Sequence, residues 1–174
     1  GTIWPSDGLF SVSNVAGSQE VVMTTSGGLG EAETAGVMLN VIPRDGGNQF
    51  SGTFAYSGAN GSMQGSNYSD ALKNAGLRSP QELLKVWEIN PMGGGPIKRD
   101  KLWFFSAQRW WGNSSFVPGL FYNKNTAAWI YEPDLSRPAV NDNTNRHHNA
   151  RFTWQLAQKH KLNLSYDTEQ NCVC

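Results

Sequence analysis

The 174-residue sequence predicts an all-β, mainly antiparallel chain, and three observations carry that expectation. Aromatic and aliphatic residues alternate with small polar ones at a period of two in several segments. Glycine is abundant at 19 residues while only 16% of residues are charged, a composition of strands and turns rather than helices. The connections between the alternating segments come in two kinds, short and long, taken in turn.

The first region runs to about Asn48. Glu20-Val21-Val22-Met23-Thr24-Thr25 reads as a short strand followed by the turn residues Ser26-Gly27-Gly28. Ala35 to Ile42 is a second extended stretch, closed by the turn cluster Pro43-Arg44-Asp45-Gly46-Gly47-Asn48. A small separate unit fits residues 1–48.

From Gln49 to Ser57 the pattern changes. Phe50, Gly52, Phe54 and Tyr56 hold the even positions, and Gln49, Ser51, Thr53, Ala55 and Ser57 the odd ones. A strand so built puts aromatics on one face and small polar groups on the other. Farther on, Ala150, Phe152, Trp154 and Leu156 alternate with Asn149, Arg151, Thr153 and Gln155. After a tight turn, Leu162, Leu164 and Tyr166 alternate with Asn163, Ser165 and Asp167. Val86 to Ile97 and Lys101 to Trp111 supply two more strands. Leu102-Trp103-Phe104-Phe105 is apolar on both faces, which leaves its outward side open. Gly93-Gly94-Gly95-Pro96 implies a bulge or bend.

Lys98-Arg99-Asp100-Lys101 and Gln158-Lys159-His160-Lys161 are tight turns, whereas Gly58 to Lys85 and Gly112 to Arg146 are long connections. Within the first long connection, Tyr68 to Gly76 and Pro80 to Lys85 have helix-compatible composition. Ser79-Pro80 has the form of an N-cap with proline at the first helical position. All long connections therefore fall at one end of the strands. Outer-membrane β-barrels show this asymmetry, with short periplasmic turns and longer extracellular loops. Their strands need about 9–11 residues to cross the bilayer, close to the lengths here.

The fold class expected is thus a partial transmembrane β-barrel sheet of about five strands over residues 49–174, open if alone. On that reading the lipid-facing side chains are Phe50, Phe54, Tyr56, Phe152, Trp154, Leu156, Leu162, Leu164 and Tyr166. The lumen-facing ones are Gln49, Ser51, Thr53, Asn149, Arg151, Gln155, Asn163 and Asp167. Trp87, Trp110 and Trp111 lie where an aromatic girdle would sit, although a soluble sheet could equally bury them. Phe116, Phe121, Tyr122, Trp129 and Tyr131 either meet a ligand or pack the loop against itself.

Other function classes find no support. Lys and Arg (14) balance Asp and Glu (14), so the electrostatic footprint of a nucleic-acid binder is missing. No run approaches the roughly 18 apolar residues of a membrane helix, and Gly1 to Phe10 does not read as a signal peptide. Gly27-Gly28-Leu29-Gly30 reads as a turn, because no Gly-Lys-Ser/Thr follows it. His147 and His148 are adjacent in a strand, so they point to opposite faces and cannot easily share a metal. They read as surface or loop-base residues, and His160 as a solvated turn residue. Glu31 with Glu33, and Asp134 with Asp142, define no acid/base pair. No enzyme activity, cofactor or metal is expected. Cys172 and Cys174 are too close in sequence to staple a domain, and a chain stopping there reads as cut.

Two long strings resemble a known family. Gln19 to Gly28 followed by Gly36 to Gly52 (GVMLNVIPRDGGNQFSG) resembles the plug-to-barrel junction of TonB-dependent outer-membrane receptors, in the Oar-like subgroup. Asn90 to Phe105 (NPMGGGPIKRDKLWFF) resembles that subgroup's early barrel hairpin. The resemblance implies that residues 1–48 end a plug and residues 49–174 begin a 22-stranded barrel in the outer membrane of a Gram-negative-type bacterium. It further implies uptake of a nutrient, driven by the TonB complex acting through an N-terminal part of the parent that precedes these residues. Outer-membrane lipid and the nutrient are the other implied partners, with glycan, peptide and metal chelate all open. The rival reading from the residues is a secreted β-sandwich carbohydrate-binding module, which requires two sheets with apolar inner faces.

Overall fold

The computed structural model describes residues 14–24, 38–77, 80–127 and 129–174. The turn and glycine-rich stretch at 26–30, Glu31 and Glu33, the start of the Ala35–Ile42 stretch and the Ser79 cap lie outside them.

The described residues are nearly all strand. Strands β1 (Ser18–Thr24) and β2 (Met38–Pro43) form a two-stranded antiparallel sheet, preceded by a 3-10 turn at Val15–Gly17. Val21 pairs with Val41, and the ladder is irregular between Ser18 and Glu20. Strands β3 (Ser51–Asn60), β4 (Leu83–Lys98), β5 (Leu102–Asn123), β6 (Pro133–Ala157) and β7 (His160–Val173) make a five-stranded sheet in that order. The order is linear, so β3 and β7 are open edges able to accept further strands. The all-β expectation holds, and so does the count of five strands. A sandwich of two sheets sharing inner apolar faces is not what the described residues build.

Two compact units divide the chain. One holds Gly1–Thr53, Met92–Gln108 and His147–Asp167; the other holds Phe54–Pro91, Arg109–Arg146 and Thr168–Cys174. Each of the five strands contributes a stretch to each unit.

Two expectations need correction. Residues 112–146, read as a long loop, are mostly strand: β5 continues to Asn123, β6 begins at Pro133, and only residues 124–132 connect them. Their Asn, Ser and Pro content suggests loop, but the ladder between two long neighbours overrides so weak a local preference. Strand β4 runs through its glycines from Leu83 to Lys98. They serve close approach. A Cβ on Gly95 would meet the Phe50 ring at 2.3 Å, and one on Gly94 would meet the Phe104 carbonyl oxygen at 2.5 Å. Finally, Pro80–Lys85 is not helical, because β4 has already started at Leu83.

The other expected helix is present. Helix α1 (Asp70–Asn74) is capped by the Ser69 side chain, which accepts the Leu72 N–H. It ends where Gly76, at φ 97°, lets its N–H reach the Lys73 carbonyl while the Leu77 N–H reaches that of Leu72. That pair of bonds is the glycine-terminated Schellman arrangement.

The face of Leu102–Phe105 left open by the sequence is settled by packing. Phe104 meets Phe50, with ring centroids 6.4 Å apart. Phe105 points the other way and is only 4% exposed. Cys172 and Cys174 are joined in a disulfide, although the sequence argued against a staple; it closes a local loop only.

Candidate functional site on the covered face of the sheet

One face of the first unit's strands is covered by the residues flanking the β1–β2 hairpin. A Cβ on Gly17 would touch the Ala107 methyl at 2.7 Å, with the Phe105 ring at 3.9 Å. The Arg44 N–H donates to the Gly17 carbonyl at 3.2 Å, tying both ends of the hairpin together. Gly46 then lies directly on the β5 backbone: a Cβ there would sit 2.2 Å from the Phe104 carbonyl oxygen. Only glycine allows two chains to come this close.

Between these contacts stands Asp45. Its Oδ1 lies 2.6 Å from Arg151 Nε of β6, an ion pair whose angle falls short of a directed hydrogen bond. Its Oδ2 lies 3.5 Å from Lys161 Nζ of β7. Thr153 Oγ1 donates to the same carboxylate at 3.3 Å and to Asn163 Oδ1 at 3.0 Å. One carboxylate thus links the post-hairpin segment to two adjacent strands more than a hundred residues away in sequence.

Asn48 makes the second attachment. Its Nδ2 donates to Asp100 Oδ1 at 2.6 Å, while its Oδ1 accepts the Asp100 N–H at 3.0 Å and the Trp103 indole N–H at 2.7 Å. Asp100 is in the left-handed region at φ 61°, which aspartate tolerates in a tight turn. Asn48→Ala removes all three bonds from exposed partners. A loss of about 1–2 kcal/mol is expected, read as a lower urea midpoint with unchanged slope. An unchanged midpoint would mean that water replaces this cluster at no cost.

Deeper on the same face, His147 is buried at 4% exposure, which corrects its reading as a surface or loop-base residue. Its Nε2 lies 3.1 Å from Asp167 Oδ1, and Asn149 Nδ2 donates to Asp167 Oδ2 at 2.9 Å. His148 turns to the opposite face, where Nδ1 meets Gln108 Oε1 and the Gln108 amide reaches Ser106 Oγ at 2.7 Å. The two histidines diverge as expected, and no metal-binding cluster exists among the described residues.

Four of the eight candidates for the polar face fall into two separate clusters: Arg151 and Asn163 around Asp45, and Asn149 with Asp167 beside His147. Gln155 instead caps its own turn, donating to the Ala157 carbonyl at 2.6 Å. Gln49, Ser51 and Thr53 are exposed, toward the open edge of the sheet. All nine candidates for the apolar face are exposed, from 42% for Phe152 to 74% for Phe50, with Phe54, Tyr56, Trp154, Leu156, Leu162, Leu164 and Tyr166 between. Sequence reasoning missed Asp45, Asn48 and His147. The first two looked like ordinary turn residues, and nothing near His147 in sequence announces its carboxylate partner.

The second unit carries its own polar pairs. Arg109 reaches both oxygens of Glu88, at 2.8 and 3.2 Å, and its guanidinium lies 5.8 Å from the Trp111 ring centroid. Asn145 donates to Glu169 at 2.6 Å and Ser114 to Asp142 at 2.9 Å. Asp134 accepts from the Ser136 hydroxyl at 2.6 Å, which holds its carboxyl below the usual range. Asp134 and Asp142 thus serve separate structural bonds.

No family model matches the chain, and no solved structure matches it. It is 28% identical over 89 residues to the TonB-dependent transporter Oar of Myxococcus xanthus, covering 51% of this chain and 8% of that protein. The likeness is to a TonB-dependent transporter at family level, over a small part of that protein's length.

Proposed function

We propose that these residues form the plug-to-barrel junction of a TonB-dependent outer-membrane transporter. The β1–β2 hairpin and residues 44–48 end the plug, and β3–β7 are the first barrel strands. The observation that carries this reading is Asp45, held by Arg151 and Lys161. A segment following one small sheet is thereby fastened to the polar face of the strands that follow it. That is the contact a plug inside a barrel requires.

Two further features support it. The opposite face presents nine exposed large apolar side chains, a surface suited to hydrocarbon rather than water. Strands β5 and β6, at 22 and 25 residues, far exceed the about 9–11 residues of a tilted crossing. Their connected ends therefore stand well clear of the bilayer on the outer side. The described residues contain no helix long and apolar enough to cross a membrane, which has no bearing on crossing by strands. Transport belongs to the whole parent, which imports a nutrient with energy from the TonB complex. The residues here anchor and align.

Surface proteolysis of intact cells carrying the full-length parent, with a protease site inserted at residues 124–132, tests this. Cleavage there is expected in intact cells, and cleavage at Lys98–Lys101 only after the outer membrane is opened. A soluble parent, or a hairpin untouched on intact cells, overturns the reading.

A further inference from the structure

The two tight turns of the first unit carry Lys98, Arg99, Lys101, Lys159 and Lys161 against the carboxylate of Asp100. Beside the first turn lies a cleft of about 300 Å³, lined by Lys98, Lys101, Leu102, Trp154, Gln155 and Leu156. We infer that it holds the headgroup of an anionic phospholipid, one molecule bound at a defined site rather than the surrounding bilayer at large. The inference rests on the transporter reading, which puts these turns on the periplasmic side of the membrane, and adds a specific lipid partner there.

The cleft has an apolar wall and a charged mouth. Leu102 stands two residues before Phe104 on β5, and Trp154 and Leu156 follow Phe152 at the same spacing on β6. All three therefore belong to the apolar face of the sheet. Trp154 is 46% exposed and Leu156 53%, so the wall is open to an occupant. The two lysines come from the turn beside it, and both are exposed. Their backbone is fixed before any ligand arrives. The Lys101 N–H donates to the Lys98 carbonyl at 3.1 Å, and the Lys101 carbonyl accepts the Gln155 N–H at 2.7 Å. The carboxylate of the turn is engaged by Asn48, whose Nδ2 donates to Asp100 Oδ1 at 2.6 Å. A site ordered in this way loses less entropy on binding.

The combination selects the ligand. Two ammonium groups at one mouth attract a phosphate, and their methylene stems cover apolar surface while the charges stay at the water boundary. Free phosphate would use the lysines alone and leave the wall wet. A zwitterionic lipid would cover the wall but bring its own cation up to the two lysines. An anionic phospholipid satisfies both parts, with its phosphate at Lys98 and Lys101 and its first acyl segment against Leu102, Trp154 and Leu156. The indole of Trp154 then lies at the membrane boundary, the level that tryptophan favours. The volume is at the lower end of the range of about 300–1,000 Å³ usual for ligand sites, which suits a headgroup and not a whole lipid.

The test is native mass spectrometry of the purified full-length protein in detergent, titrated with dioleoylphosphatidylglycerol or dioleoylphosphatidylcholine. One phosphatidylglycerol should be retained about fivefold or more in preference to phosphatidylcholine, and inorganic phosphate should not displace it. Lys98→Gln/Lys101→Gln should remove most of that preference, and Lys98→Arg/Lys101→Arg should keep it. Trp154→Ala should weaken both lipids and leave their ratio unchanged. Lys159→Gln, in the other turn, is the control and should change nothing. Equal retention of the two lipids, displacement by inorganic phosphate, or a preference that survives Lys98→Gln/Lys101→Gln overturns the proposal. An equal loss in Lys159→Gln also overturns it, because the attraction would then belong to the basic turns in general. Protease accessibility of residues 124–132, measured on cells making the same protein, keeps the two readings apart. A surface-exposed hairpin without lipid preference sinks this inference alone. Lipid preference with a protected hairpin sinks the membrane orientation alone.

Discussion

The Gly46→Val substitution is expected to detach the post-hairpin segment from the sheet. The first carbon added at Gly46 would fall 2.2 Å from the Phe104 carbonyl oxygen, 2.8 Å from its carbonyl carbon and 3.0 Å from its nitrogen. All three are backbone atoms inside a hydrogen-bonded strand, so no side chain can swing aside. The segment must lift, and in lifting it pulls on Asp45, just before it, and Asn48, two residues after it. A destabilisation of about 2–4 kcal/mol is expected, the scale of a core overpacked against rigid backbone with attached polar bonds lost. The neighbouring Gly47→Val is the control, because a Cβ there meets nothing within 4 Å. Thermal unfolding and limited proteolysis of the full-length protein read both. A Gly46→Val protein that melts and resists protease as the parent does would show that the segment does not dock this way.

Asp45→Ala should have the next largest effect, for an electrostatic reason. Arg151, with its side chain 18% exposed, would be left with its charge largely out of water, whereas Lys161 at 46% can turn to solvent. Most of the loss therefore comes from the arginine. About 1–3 kcal/mol is expected, above an exposed pair and below a fully buried one. Removing both partners in Asp45→Ala/Arg151→Met should cost less than the two single changes summed, because the stranded charge is then absent. Strict additivity in that cycle would mean that the pair contributes nothing beyond its separate parts. Asp45→Asn keeps an acceptor for Thr153 and should fall between the parent and alanine.

Both predictions concern residues that look ordinary in sequence. Pro43 to Asn48 reads as a turn, and a turn of Pro, Asp, Gly and Asn needs no further explanation. The glycine at 46 is required by a strand that begins more than fifty residues later. The aspartate at 45 is held by two strands more than a hundred residues later. No local pattern can encode such partners. His147 is a similar case: in sequence it belongs to a polar run, and only β7 alongside β6 brings Asp167 to it.

What the sequence by itself determined is the part that depends on neighbours two positions apart. Period two decides which side chains share a strand face, so the five strand segments and the divergence of His147 from His148 were legible. Tight turns at 98–101 and 158–161 were legible for the same reason, being local backbone chemistry. The tertiary structure alone decided how far β5 and β6 run, because the halves that meet at residues 124–132 are strand through pairing with neighbouring strands. It also decided which polar residues act as fasteners. A carboxylate in a turn becomes an anchor when a half-buried cation lies opposite it, and that juxtaposition exists only once the sheet has formed.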